Sequence, residues 1–310
     1  MLSRRNVRVK VMQGLYNISR DPALSYAEAV KRYRKSTEDA FDLYLYNLLL
    51  LTEIAGYAKV VAKKKEDKFV PTEADKTFRP KLADNDLIRS LVKNDGFRRI
   101  VKTRNLESRI DKDQVRRYYS EFAKTDEYQA YLLAPQTPET DKQMLLALYR
   151  FWVGEESFNE LMEEQYSVWL DDKSVVIGAM KKTIKALPVT GDFYEAYRPT
   201  KETVTDFGEV LFHKVHFENQ ALLEVIEPTL KNWDVDRVAV LDMIALKMAV
   251  CELTSFPTIP TKVTLNEFVE ISKLYSTDKS KDFINGVLDR LMKQLQKSGK
   301  IVKKGRGLVD

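Results

Sequence analysis

Apolar residues recur every three or four positions along nearly the whole chain, the spacing of amphipathic helices. The first stripe, Val7, Val11, Leu15 and Ile18, predicts a helix over 4–18 that stops at Asp21-Pro22. A short helix from Ser25 and a long Leu- and Tyr-rich one over 41–64 follow. Residues 63–80 are charged and carry prolines, the pattern of a mobile linker. Shorter helical pieces fill 84–133, and Pro135 and Pro138 then break the chain. Further helices are predicted over 139–153, 155–169 and 171–187, with a loop at 188–199. The last third is the most regular. It holds a helix over 201–231, one over 236–253 with Leu241, Ile244, Met248 and Cys251 on one face, and two more after Pro257 and Pro260. The first of these two opens with Thr264 and Glu267 at capping-box spacing.

The last helix poses a choice. In DFINGVLD (282–289) an Asn-Gly pair lies between apolar runs, a hairpin signal. Yet Phe283, Val287, Leu288, Leu291 and Leu295 keep helical spacing, and the segment runs on without a break. A helix there carries Gly286 at a cost of about 1 kcal/mol against alanine. No alternation of period two runs far enough for a strand, so the predicted fold class is all-α. Three segments, 41–54, 141–154 and 206–219, share a Leu/aromatic face, a faint echo that any amphipathic helix produces.

Composition narrows the class. The chain has 310 residues, enough for one large or two ordinary domains, and 44% hydrophobic against 31% charged residues is globular usage. Eleven Gly and ten Pro are few for a turn-rich β fold. A formal charge of +5 permits nucleic-acid binding without demanding it. One cysteine, Cys251, excludes an internal disulfide and a cysteine zinc site; within its apolar helix it reads as a core residue. No stretch reaches the roughly 18 uninterrupted apolar residues of a membrane span. The first 20 residues are basic and lack an acid, which fits a presequence as well as a mature basic helix; no apolar run follows them to make a secretory signal.

Candidate chemistry is sparse. His213 and His216 lie three apart with Glu209 a turn earlier, but with no fourth ligand in sight a half-buried helical face is the simpler reading, and no metal is expected. No P-loop, nucleophile elbow or dinucleotide fingerprint occurs, so neither an enzyme nor a cofactor is expected. Basic clusters are more informative. Arg4, Arg5, Arg8 and Lys10 crowd the first turns of a helix, where the macrodipole disfavours cations. Such local conflict tends to mark function. Lys273, Lys279 and Lys281 surround the junction before DFINGVLD, and Lys300, Lys303, Lys304 and Arg306 follow in the tail.

At this point the sequence resembles a family. RRNVRVKVMQGLY (4–16) resembles the opening helix of NusB-type transcription antitermination factors. VLDMIALKMAVCEL (240–253), IPTKVTLNEFVEISKLYS (259–276) and KSKDFINGVLDRL (279–291) follow the family's order and spacing. The resemblance covers residues 1–20 and 200–297; between them lies a far longer stretch than typical members have. It implies a NusB-like helical bundle of two packed subdomains with additional helices. The expected domains are an N-terminal helical region, 1–199, made of a basic first helix and an expansion over 21–199; a C-terminal NusB-like subdomain, 200–298; and a flexible basic tail, 299–310.

The resemblance also implies a function. The expected activity is antitermination on single-stranded boxA-type elements of ribosomal RNA transcripts. A small-subunit ribosomal protein is the expected partner, with the RNA polymerase complex engaged indirectly, in the cytoplasm and away from membranes. Arg4, Arg5, Arg8 and Lys10 are then the expected phosphate contacts, supported by Lys273, Lys279 and Lys281. Tyr16, Phe283 and Asn285 are the expected base contacts. Gly286 is expected inside the last helix where a neighbouring helix approaches closely, with Asn285 held by polar contacts. Basic helices near Arg98, Arg99, Arg116 and Arg117 are expected to widen the RNA footprint. Lys279 and Asp282 exchange the charges that many members show there. Two rivals remain: a NusB-fold scaffold that binds only protein, and an RNA cytosine methyltransferase, disfavoured because a cofactor-binding α/β domain finds no room after the helical part.

Overall fold

The structure, a computed structural model, describes residues 1–230, 237–277 and 279–308, and of Arg306 the backbone alone. The predicted helix ends at Lys231 and Asp236, and the side chain of Arg306 in the tail, lie outside the described residues. Among those described there are helices and turns and no strand, so the chain is all-α. It divides into two compact units, one made of Met1 and residues 38–198, the other of residues 2–37 and 199–310. The first helix thus folds with the C-terminal part and not with the expansion, a division different from the one expected at residue 199.

The expansion unit is built on α2 (Tyr26–Glu66), a single helix of 41 residues where two were predicted. Its first turns belong to the other unit; from Glu38 onward it joins this one. By length and composition α2 could cross a membrane, but 67% of its most apolar window is buried in the protein. Around it lie α3 (Glu73–Thr77), α4 (Lys81–Asp84), α5 (Asp86–Val92), α6 (Asp95–Thr103), α7 (Lys112–Phe122), α8 (Asp126–Leu133), α9 (Pro138–Gly154), α10 (Glu156–Gln165) and α11 (Trp169–Ala186). Side-chain caps mark several starts: Asn85, Asn94, Asp111, Thr125 and Thr137 each accept a backbone N–H of the following turn. The core is rich in rings, with Phe41, Tyr44, Tyr46, Tyr118, Phe122, Trp152, Phe158 and Trp169 fully buried. The expected linker over 63–80 is ordered instead. Asp75 gathers Lys65 at 2.8 Å, Lys68 at 2.9 Å and the Thr72 N–H at 3.0 Å, and so ties the end of α2 to α3.

The other unit contains α1 (Arg4–Arg20), a π-helical stretch (Glu202–Glu209), α12 (Val210–Phe217), α13 (Asn219–Ile226), α14 (Val240–Ser255), α15 (Thr261–Tyr275) and α16 (Ser280–Lys297). What patterning predicted as one helix over 201–231 is therefore a π stretch and two α segments broken at Glu218. α14 carries apolar residues on every side, with Asp242, Lys247 and Glu252 set among them, and packs against α1, α12, α13, α15 and α16. Cys251 lies fully in this core, and burial pushes its thiol up to about 12. The helix through Asn285-Gly286 is continuous, so the hairpin signal loses to the period of Ile284, Val287, Leu288, Leu291 and Leu295, all buried. The segment after α16, expected to be frayed, packs back: the Lys304 N–H donates to the Pro257 carbonyl at 2.9 Å, and Ile301 rests on the core.

Candidate nucleic-acid interface

The helix that carries the N-terminal arginines is capped by Ser3, whose hydroxyl and backbone form a reciprocal capping box with Asn6. That cap offsets part of the dipole conflict. Acids of the same unit offset the rest. Arg8 is only 2% exposed, and its guanidinium makes two 2.7 Å bonds to the Glu252 carboxylate, which also accepts from the Thr264 hydroxyl at 2.7 Å. Its face lies over the rings of Phe207 and Phe268 at 5.2 and 5.9 Å. Arg5 forks onto Glu267 with two 2.8 Å bonds, and Arg4 meets Glu202 at 3.0 Å. Lys10 is buried as well. Arg8 is therefore a structural residue and not an accessible phosphate contact: a buried ion pair leaves no donor facing solvent. Thr264 and Glu267 do not cap α15, which begins a turn earlier at Thr261; they serve as partners of Glu252 and of the two arginines.

The second predicted set is placed differently. The Ser280 hydroxyl donates to buried Asp242 at 2.7 Å and accepts the Thr277 N–H at 3.2 Å, which docks the start of α16 beside the start of α14. Lys279 and Lys281 flank that serine. They are exposed, as are Lys273 and Asn285, and none of the four has an ion pair or a side-chain hydrogen bond among the described residues. Phe283 is half-buried against the core, and Tyr16 is half-buried on α1. Two expectations fail here. A Cβ built on Gly286 meets nothing within 4 Å, so no neighbouring helix needs this glycine, and Asn285 is not held by polar contacts.

α1 and α14 run antiparallel, because Arg8 meets Glu252 near the C-terminal end of α14 while Leu15 and Ile18 share a groove with Val240, Met243 and Ile244 at its start. Ten residues of helix separate Asp242 from Glu252, about 15 Å at 1.5 Å per residue. The predicted site is thus split. Its N-terminal arginines sit at one end of α14, already paired. The start of α14 collects the uncommitted cations: Lys279 and Lys281 on the α16 side, Arg20 at the end of α1, and Arg237 just before α14, all exposed and without ion pairs among the described residues.

The groove at this end has a volume of about 480 Å³. Apolar side chains line it together with Ser19, His216, Asn219 and Lys247. Lys247 Nζ donates to Asn219 Oδ1 at 2.7 Å, and desolvation lowers the lysine's pKa. His216 stacks on Tyr26 with ring centroids 4.8 Å apart, and Phe217, 60% exposed, contacts both rings. Burial first, and the neighbouring His213 second, lower the His216 pKa. Sequence reasoning passed over Arg20, Arg237, Lys247 and Asn219. The available signal was Lys247 itself, the lone cation of its helix, with apolar Met243 and Cys251 a turn away on either side. In the expansion unit the basic helices have local partners: Arg98 with Asp95, Arg99 with Asp192 at 3.8 Å, Arg116 with Asp113 at 4.0 Å, and Arg117 with Ser157.

The second unit is thus an all-α helical domain with α14 at its centre and, among the described residues, exposed cations without ion pairs at the start of that helix. Residues 173–293 match the NusB family, a span that takes in the end of the expansion unit and most of the C-terminal one. The chain is 40% identical over 104 residues to the transcription antitermination protein NusB of Salinibacter ruber, an alignment covering 34% of this chain and 65% of that protein. It is 43% identical over 79 residues to NusB of Chloroherpeton thalassium (26% and 37%), and 39% identical over 90 residues to NusB of Natranaerobius thermophilus (29% and 65%). The chain thus spans less than two thirds of the length of these relatives. No solved structure matches it significantly.

Proposed function

We propose that this chain is a transcription antitermination factor. In this reading it binds single-stranded boxA-type RNA of ribosomal transcripts with a small-subunit ribosomal protein, and it acts on RNA polymerase through that complex in the cytoplasm. The observation that carries the reading is the set of cations at the start of α14 that have no ion pair among the described residues, of which Lys279, Lys281 and Arg237 lie within the segment matched to the NusB family. The names of the matched relatives support it. Lys279, Lys281, Arg20 and Arg237 neutralise phosphates in this proposal, while Tyr16 and Asn285 offer a ring and an amide to unstacked bases. Arg4 and Arg5 are secondary, because a phosphate must displace a carboxylate to reach them. That same commitment of Arg4, Arg5 and Arg8 favours the rival reading, a scaffold that binds only protein.

Fluorescence anisotropy of a labelled boxA-like RNA and a scrambled control, at two salt concentrations and with or without the ribosomal protein, separates the two. Tighter binding of the boxA-like RNA, strengthened by the protein and weakened by salt, is the expected result. Equal and feeble binding of both RNAs under every condition sinks the RNA-binding reading in favour of the scaffold.

A further inference from the structure

The groove beside α14 has a composition that the phosphate-binding surface does not explain. Its walls are aliphatic: Leu15 and Ile18 from α1, Leu223 from α13, and Met243 and Ile244 from α14 are among them. No acidic residue is among the lining residues described. Inside it, one ammonium and one carboxamide touch at 2.7 Å. A lysine ammonium has donors only, so the amide oxygen must face it, and this orients Asn219 with its Nδ2 group free of partners among the described residues. The ammonium keeps two further protons. Two neighbouring donor groups therefore stand at the solvent-open edge of an apolar slot, where a ligand that offers two adjacent acceptors can replace the water on them.

We propose that this groove holds a guanine base of single-stranded RNA, whose adjacent O6 and N7 acceptors meet Lys247 Nζ and Asn219 Nδ2. The inference rests on the RNA-binding reading and deepens it by naming a base. On the Hoogsteen edge guanine alone presents two adjacent acceptors, since adenine pairs its N7 with an amino donor there; cytosine offers an adjacent pair only as N3 and O2 of its Watson–Crick edge, on a smaller ring that fills the groove less. The aliphatic walls match the faces of the flat ring. His216, stacked on Tyr26, closes one side with an aromatic surface of the kind that unpaired bases stack on. Exposed Arg20 and Arg237 adjoin lining residues Ser19 and Val238 in sequence and suit the phosphates on either side of the seated base. A carboxylate also presents two acceptors, but the unpaired cations at this end of α14 favour a polyanion over a lone acidic side chain.

The test uses the full chain and fluorescein-labelled octauridylate, beside the same oligonucleotide carrying one central guanosine, inosine or 7-deazaguanosine. Guanosine and inosine both keep O6 and N7 and are expected to bind about tenfold more tightly than octauridylate, whereas 7-deazaguanosine loses that gain. Lys247→Met and Asn219→Leu are each expected to abolish the guanosine preference, so that each variant binds the guanosine-containing oligonucleotide and octauridylate alike, with thermal melts confirming that both fold. Octauridylate binding with no guanosine preference, or a preference that survives 7-deaza substitution or Lys247→Met, overturns the guanine pocket and leaves RNA binding standing. If none of the oligonucleotides binds, the RNA-binding reading and the pocket fall together. Lys247-dependent capture of a labelled acetyl-Leu-Asp-Leu amide, without guanosine preference, reassigns the groove to an acidic protein segment and also overturns the proposal.

Discussion

Single residues in this protein separate structural from functional chemistry where the sequence shows only residue types. Arg8 and Lys281 are both cations at helix starts, yet Arg8 is sealed against Glu252 and Lys281 is exposed, with no ion pair among the described residues. Removing one partner of a buried ion pair leaves the other uncompensated, so Arg8→Ala is expected to lower stability by about 3–5 kcal/mol. Arg5→Ala, in a half-exposed pair, is expected to cost about 0.2–1 kcal/mol. Urea unfolding of both variants checks this; equal effects would contradict the buried pair. Gly286 behaves in the opposite sense. It is exposed, helical and without a neighbour within 4 Å, so Gly286→Ala is expected to stabilise the protein by about 0.5–1 kcal/mol. A lowered urea midpoint would reveal a contact that the open space denies. Sequence exposed the cations but not their partners, because Glu252 and Glu267 lie more than 240 positions away along the chain.

At the scale of elements, helical periodicity located most segments, and tertiary contacts set where they end. Thr264 and Glu267 had the spacing of a cap, but bonds to Glu252 and to the arginines drew both into the body of α15. The π-helical stretch before α12 was invisible to pattern, since its residues keep an ordinary apolar rhythm. Its cause is local packing. The Tyr33 hydroxyl donates to the Val204 carbonyl at 2.8 Å, and a Cβ on Gly208 would lie 1.9 Å from that hydroxyl and 2.5 Å from Val7 Cγ1. Gly208→Ala therefore forces α1 and Tyr33 apart and is expected to cost about 1–3 kcal/mol. Tyr33→Phe removes the nearer clash, so in a double-mutant cycle it should recover part of the loss. Strictly additive effects would show that the glycine is kept for another reason.

Across the molecule, net charge says little and its commitment says more. Of the basic residues expected to meet RNA, Arg4, Arg5 and Arg8 are paired with acids, while Lys273, Lys279 and Lys281 have no ion pair among the described residues. The distinction becomes measurable through counterion release, in which each phosphate contact on a single strand contributes about −0.7 to the slope of log affinity against log salt. Replacing Lys279 and Lys281 together by Gln is expected to flatten that slope by about 1.4, and adding Arg20→Gln by about 0.7 more. Arg4→Gln with Arg5→Gln is expected to leave the slope nearly unchanged, because the protein's own carboxylates already occupy those guanidinium groups. Titrating the labelled boxA-like RNA from low to moderate salt with each variant decides the matter. A slope that responds to the N-terminal pair and ignores the lysines beside Ser280 would move the phosphate path to the opposite end of α14. It would also mean that RNA competes directly with Glu202 and Glu267 for the arginines.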